Sequence, residues 1–157
     1  MTMNISENTH VVSAFGPQAG GSAIVGDYIS LKNASHVTVL VEVTQGNATT
    51  VALTLEQSTA VAGTGSKAIT EAVPIYLVAD ADTSDVWVRQ TDAVSYTTSA
   101  ALKTKLVAFE VDVDTLDTNN GFDCLCVKAA ASNASNILSA QYIVTGERYH
   151  NVSMIVD

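Results

Sequence analysis

The sequence predicts an all-β protein: a single antiparallel β-sandwich, jelly-roll-like, with a flexible N-terminal arm. Apolar and polar side chains alternate over several segments, and a period of two is typical of strands that bury one face. Turn residues recur about every 8–12 positions, the spacing of a sandwich or barrel. No segment keeps the 3.6-residue apolar period of an amphipathic helix, so we expect little helix.

Length and composition fit one folded domain. The chain has 157 residues, of which 47% are hydrophobic and 15% charged, and such a composition argues against disorder of the whole chain. We divide it into an extended N-terminal arm, residues 1–25, and a β-sandwich domain, residues 26–157, because Gly-Pro and Gly-Gly pairs in the first part are typical of loops. Val11, Val12 and Phe15 are sizeable apolar side chains of the arm that precede Ile24.

The strongest alternation lies in residues 35–57. Two sets of side chains share a face in their strands: Val37, Val39, Val41 and Val43 in the first run, and Val51, Leu53 and Leu55 in the second. Residues 45–48 contain the Gly and Asn that a tight reversal needs, so we predict a β-hairpin. Residues 58–70 follow as a long loop with Gly63 and Gly65, and a loop of this length in a compact domain is usually functional or flexible.

The rest of the chain predicts short strands and one helical turn. The further strands are expected at 26–31, 73–79, 86–90, 94–97, 105–113, 122–130, 137–145 and 152–156. The helical turn is expected within 114–120, with Asp114 as its cap and Asp117 in its first turn.

Charge and hydropathy exclude several partners. The net charge is −9, and the seven basic residues are scattered, so we expect neither nucleic acid nor an anionic membrane as a partner. No apolar run approaches the roughly 20 residues of a membrane span. Residues 1–10 lack the apolar core of a secretory signal.

We expect no metal or cofactor site. Cys124 and Cys126 share one strand face, and two thiols cannot close a zinc site, so we predict two small buried hydrophobes. Residues 80–85 begin like a calcium loop but lack the Gly at the sixth position and the Glu at the twelfth. The sequence leaves open whether this turn binds an ion. A second acidic patch consists of Asp112, Asp114, Asp117 and Asn119.

No catalytic motif is present, so we expect a protein that is not an enzyme. The sequence has no HExxH, phosphate loop, GxGxxG or nucleophile elbow. Glu110 and Asp112 have the chemistry of a glycosidase pair, but polar residues on one strand face usually contact solvent. Trp87 and nearby tyrosines fit an alternative of a different class, a carbohydrate-binding β-sandwich module.

Three stretches resemble segments of small structural proteins of tailed bacteriophages. The first is residues 51–68, VALTLEQSTAVAGTGSKA. The second is a strand ending near Val113, followed by Leu116 and by NGFD at residues 120–123. The third is QYIV at residues 141–144, followed by Arg148 and Tyr149. Together these stretches fall within residues 28–156.

This resemblance implies a virion component, most specifically a capsid decoration (cement) protein. Such proteins are β-rich and bind outside the head at symmetry axes, often as trimers, and the family has no catalytic residues to carry over. The implied partners are the major capsid protein and further copies of this chain, with a trimer favoured. The implied location is the capsid surface, after synthesis in the host cytoplasm. A head–tail connector or another tail component of the virion is the alternative.

Two segments are the candidate partner-binding surfaces. The arm offers Val11, Val12 and Phe15, and the loop at residues 58–70 offers Gly63, Gly65 and Lys67. An extended arm and a long glycine-rich loop are natural means of reaching a neighbouring subunit. No single capsid-binding residue can be assigned from the resemblance.

Overall fold

A computed structural model of the chain describes residues 5–147 and 154–155, and the predicted antiparallel β-sandwich is confirmed. The strands are β1 (Thr9–Ala19), β2 (Ile24–Val25), β3 (Ile29–Ser30), β4 (Ala34–Gln45), β5 (Ala52–Ser58), β6 (Lys67–Ala68), β7 (Ile75–Val78), β8 (Val88–Arg89), β9 (Ser95–Thr97), β10 (Thr104–Asp112), β11 (Cys124–Ala129) and β12 (Asn136–Glu147). A four-residue helix, α1 (Ile5–Asn8), precedes β1, and two 3₁₀ turns, Val113–Thr115 and Thr118–Asn120, join β10 to β11.

The strands form two six-stranded sheets. The first has the order β1-β12-β4-β10-β7-β8. The second has the order β2-β11-β5-β6, with β3 also paired to β11 and β9 also paired to β5. Every strand pair in the described part of the chain is antiparallel.

The core lies between the sheets, where the alternating apolar faces meet. Val37, Val39, Val41 and Val43 of β4 are fully buried, as are Val51, Leu53 and Leu55 across from them. Burial of one such side chain contributes about 1.5–3 kcal/mol, and β-branched valines suit the pleated surface of a strand. The two inner faces were therefore predicted correctly.

The predicted hairpin between the two alternating runs is wrong. β4 pairs with β12 and β10, whereas β5 pairs with β11, β6 and β9, so the connection crosses from one sheet to the other. Face-to-face packing buries both apolar faces at once, whereas a hairpin leaves both on the same side of one sheet. Asn136 holds the crossing turn: its Oδ1 accepts from the backbone N–H of Asn47 at 2.9 Å, and its Nδ2 donates to the Thr49 carbonyl at 2.9 Å.

The segment predicted as an arm is extended, but it is not free over the described residues. β1 pairs with β12 from Thr9↔Thr145 to Ala19↔Ile137, with register shifts on either side of Phe15. The backbone N–H of Asp27 donates to the carbonyl of Ala14 at 2.9 Å, and both Ala14 and Phe15 are buried in the core. Residues 9–19 therefore belong to the sandwich, and the boundary predicted at residue 25 does not separate them from it.

The predicted helical turn and the last predicted strand also differ from the structure or lie largely outside the described residues. The helical turn exists as two short 3₁₀ turns, and Asp112, not Asp114, precedes the first of them, without a side-chain capping hydrogen bond. The strand predicted at 152–156 lies largely outside the described residues; within it, Met154 is buried in the core.

Candidate functional site

The three predicted contact residues of the first segment point in different directions. Val11 pairs with Ile143 and is 51% exposed, on the outer face of the first sheet. Val12 packs against the core, and Phe15 is buried within it. Of these three side chains, that of Val11 is exposed, that of Val12 is half-buried and that of Phe15 is buried.

The loop at residues 58–70 is a compact, hydrogen-bonded element. The backbone N–H of Thr59 donates to the Thr64 carbonyl at 3.1 Å, and that of Gly63 donates to the Ala60 carbonyl at 2.9 Å. Gly63 and Gly65 both have positive φ, at 74° and 63°, a backbone conformation that glycine adopts without strain. The loop therefore presents a defined surface.

Tyr28 packs against this loop on the outer face of the second sheet. A Cβ added to Gly63 would lie 3.0 Å from Cε2 of Tyr28. The Tyr28 hydroxyl donates to Oε2 of Glu56 at 2.9 Å, and the same oxygen lies 2.6 Å from Nζ of Lys128. Hydrogen bonding to Lys128 and Tyr28 lowers the pKa of Glu56 against the opposing effect of burial, so its charged form fits this site.

Lys67 ties the loop to the connection between β10 and β11. Its Nζ lies 2.5 Å from Oδ2 of Asp117 and 4.0 Å from the centroid of the Phe122 ring. The backbone N–H of Asp117 also donates to Oε1 of buried Gln57 at 2.8 Å. The hydrogen bond from Lys67 holds the pKa of Asp117 below its usual value. We call the surface formed by residues 58–70 and 113–123 the loop surface.

The predicted contact residues thus form two separate surfaces. Val11 lies on β1 at the edge of the first sheet, whereas Lys67 lies in β6, at the edge of the second, and Gly63 and Gly65 lie in the loop just before it. The structure brings the three loop residues together and does not join them to Val11.

A largely apolar groove lies on the outer face of the first sheet. Its volume is about 430 Å³, and it is lined by Thr38, Leu40, Tyr76, Trp87, Ala108, Glu110 and Ile143. Strand register explains the floor, since Leu40 pairs with Ala108 and Ala108 with Tyr76. Trp87, just before β8, forms one wall and remains 43% exposed.

A polar cluster adjoins this groove. Nε2 of His36 lies 2.7 Å from Oε2 of Glu110, and Nδ1 lies 2.7 Å from Oδ1 of Asp112. The Thr38 hydroxyl also donates to Oε2 of Glu110, at 2.7 Å. The hydrogen bond to Glu110, with a further one to Asp112, raises the pKa of His36 to about 9, so the imidazole is charged at neutral pH. The two carboxylates are thus bridged by a cation.

Sequence reasoning did not single out His36, although it named Trp87 with nearby tyrosines as a candidate sugar-binding surface and Glu110 as one of a carboxylate pair. The alternation in β4 correctly places His36, Thr38 and Leu40 on the face opposite the core. Their neighbours come from β10, β7 and β12, which are distant in sequence. No local pattern reports those pairings, so the groove could not be predicted.

The remaining candidates are structural. Cys124 and Cys126 are free and buried, and burial raises the pKa of each thiol to about 11, which suits the predicted role as small hydrophobes. Asp80, in the acidic turn, pairs with Lys103, with Oδ2 and Nζ 2.8 Å apart. Within the described residues, no group of three or more His, Cys, Asp or Glu side chains is placed to hold a metal ion. None of the helices in the described ranges is long and apolar enough to span a membrane.

Comparison of the chain with models of protein families, with curated proteins and with solved structures gives no match.

Proposed function

We propose that this protein is a non-enzymatic structural component of a bacteriophage particle, specifically a capsid decoration protein. It binds the major capsid protein on the outside of the head, as a homo-oligomer, with a trimer favoured. In this role it bridges capsid subunits and adds contact area to the shell. Because it binds the assembled shell and not free subunits, mass action favours the assembled state.

The observation that carries the proposal is how the phage-like stretches meet. Lys67 of the first stretch lies 4.0 Å from the ring centroid of Phe122 in the second, and Lys67 and Gln57 also contact Asp117, which lies between Leu116 and the NGFD segment. These contacts join two of the three resembling stretches into the loop surface. We assign that surface as the capsid-binding surface, because two of the resembling stretches meet there and Lys67 remains partly exposed.

The edges of the sandwich suit a component present in many copies. β6 and β8, the edge strands at one end of the sheet orders, have two residues each. β1, the edge strand at the other end of the first sheet, contains Pro17 and two register shifts. Short or irregular edges discourage strand pairing between copies before assembly, and a net charge of −9 adds repulsion.

Binding to purified shells tests the capsid-binding surface. Shells that lack this protein are incubated with the purified full chain and sedimented. We expect saturable binding, and a loss of about tenfold in affinity for Lys67→Ala. Lys32→Ala removes the same charge from an exposed turn and serves as the matched control, with unchanged binding expected. If the intact chain does not bind shells, or if both variants bind equally well, the assignment is wrong.

The particle position is a separate question. A head–tail connector or tail component would bind purified necks or tails instead of the shell. Sedimentation with those fractions in place of shells distinguishes the two positions.

A further inference from the structure

The groove on the outer face of the first sheet has the features of a small-ligand site. Its floor is apolar, from Leu40, Ala108 and Ile143, and an exposed indole forms one wall. Its volume of about 430 Å³ falls in the range of ordinary ligand pockets, which combine apolar walls with a few placed polar groups. Thr38, Tyr76 and Glu110 supply those polar groups here.

The charge within the groove is compensated. His36 is charged and bonded to Glu110, and the Thr38 hydroxyl donates to the same carboxylate. Both of these hydrogen bonds end on Oε2, and among the described residues Oε1 accepts none. The Glu110 side chain is 31% exposed, so this oxygen remains an acceptor for a ligand hydroxyl. A cationic ligand meets a carboxylate that is already paired, and an anionic ligand is repelled by the chain's net charge of −9.

We propose that this groove binds a neutral glycan. A pyranose ring has a face of C–H groups and a rim of hydroxyls, and it fits an aromatic wall beside hydrogen-bonding groups. The ring packs on Trp87, whose large apolar surface supplies most of the binding energy. The Glu110 carboxylate accepts from sugar hydroxyls, and the hydroxyl groups of Thr38 and Tyr76 supply further hydrogen bonds.

The proposal is independent of capsid binding. The groove lies on the first sheet, and the loop surface lies at the edge of the second. A copy attached through the loop surface keeps the groove for a separate ligand. A failure of shell binding therefore leaves the glycan site standing, and the reverse also holds.

The test uses the purified full chain and a panel of sugars. Trp87 is the only tryptophan, so its fluorescence reports on this groove alone. The panel consists of neutral oligosaccharides of glucose, galactose, mannose and N-acetylglucosamine, together with one sialylated oligosaccharide. We expect a saturable emission change with at least one neutral sugar, and binding at least about tenfold weaker for the sialylated one.

Variants locate the site. Calorimetry and saturation-transfer NMR follow binding where the fluorophore is removed. Trp87→Ala is expected to weaken binding about tenfold or more, and Trp87→Phe less, because a ring remains. Val86→Ala, at an exposed neighbour outside the groove, is the control and is expected to bind within about twofold of the parent.

Three outcomes would overturn the proposal. The first is no saturable binding of any sugar up to about 10 mM. The second is equal binding by the parent and by a folded Trp87→Ala variant. The third is an emission change with capsid shells or apolar peptides and with no sugar, which would make the face a protein-docking surface.

Discussion

Nε2 of His36 and Oε2 of Glu110 lie 2.7 Å apart on the outer face of the first sheet, diagonally across the β4–β10 pair. Asp112, directly opposite His36 in register, accepts from the other ring nitrogen. The doubly donating imidazolium therefore holds two like-charged side chains on one strand. It also fixes the Glu110 carboxylate at the wall of the groove.

This cluster predicts how stability depends on pH. The pKa of His36 is raised to about 9, so its stabilising contribution is complete below the unfolded value of about 6.5 and is lost as the pH rises through 9. The pKa of Glu110 is lowered, chiefly by the hydrogen bond from His36, so its contribution is lost as the pH falls below its ordinary value of 4.5. We expect His36→Gln to cost about 1 kcal/mol near pH 6, after allowance for solvent screening, and much less at pH 10.

Urea unfolding at the two pH values measures this difference. His10→Gln, at an exposed position on β1, is the matched control and should unfold like the parent at both. An equal loss for His36→Gln at pH 6 and pH 10 would show that the ion pairs contribute nothing.

Among polar side chains, we expect substitution of Lys105 to cause the largest loss of folding stability. It is 1% exposed, and its Nζ donates to Oε1 of Gln45 at 2.7 Å and to the Ala101 carbonyl at 2.5 Å. Burial lowers the pKa of this lysine. Lys105→Met leaves the Gln45 amide without its donor, and we expect a loss of about 2–4 kcal/mol by chemical denaturation.

Lys103→Met is the control for this variant. Lys103 contacts Asp80 at the surface, with its side chain 48% exposed. Its loss of stability is expected to be far smaller. Equal losses at the two positions would mean that the buried hydrogen bonds of Lys105 are not important.

Removal of the Tyr142 hydroxyl is expected to destabilise the fold. Its hydroxyl accepts from the Val127 backbone N–H at 2.9 Å and donates to the Asp27 carbonyl at 2.8 Å, which joins the two sheets through the core. Tyr142→Phe leaves the buried Val127 N–H without its acceptor and removes the donor to the Asp27 carbonyl, with an expected loss of about 1–3 kcal/mol in the free energy of unfolding. Tyr76→Phe, at a half-buried position, should be nearly neutral in the same thermal or chemical measurement. A neutral Tyr142→Phe would contradict this role.

Alanine substitutions at three glycines distinguish the cost of backbone strain from the cost of steric crowding. Gly63→Ala combines a φ of 74° with a contact to the Tyr28 ring, whereas Gly65→Ala has a φ of 63° and its nearest atom at 4.0 Å. Gly16→Ala has no atom within 4 Å and no positive φ. A left-handed alanine costs about 1–2 kcal/mol, so we expect the melting temperature to fall most for Gly63, less for Gly65 and least for Gly16. The reverse order for Gly63 and Gly65 would mean that Tyr28 does not limit the loop.

The sequence predicts strands and their inner faces better than it predicts their partners. Alternation in β4, β5 and β10 identifies the buried side chains because a strand has a period of two whatever it pairs with. Pairing depends on distant segments. Thus the turn after Gln45 has the residues of a hairpin, but it crosses between sheets because Asn136 binds its backbone and because both apolar faces need a partner layer.

The candidate sites were also hard to predict from the sequence, because their geometry depends on contacts between distant segments. Lys67 could be chosen from the sequence as a loop residue, but its contact with Asp117 depends on how the loop packs against a connection 50 positions away. Val11, Val12 and Phe15 look alike in the sequence, and only strand register separates the exposed Val11 from the two that face the core. Because Phe15 is a core residue, deletion of residues 1–15 would disrupt the fold and cannot test capsid attachment.

The copy number of this chain in purified particles tests the proposed function most directly. It is measured by quantitative mass spectrometry against the major capsid protein, in virions produced by cells that carry the gene. We expect a number of copies of the same order as that of the capsid protein. A count lower by one or two orders of magnitude would indicate a connector or tail component, and absence from the particles would contradict the virion role.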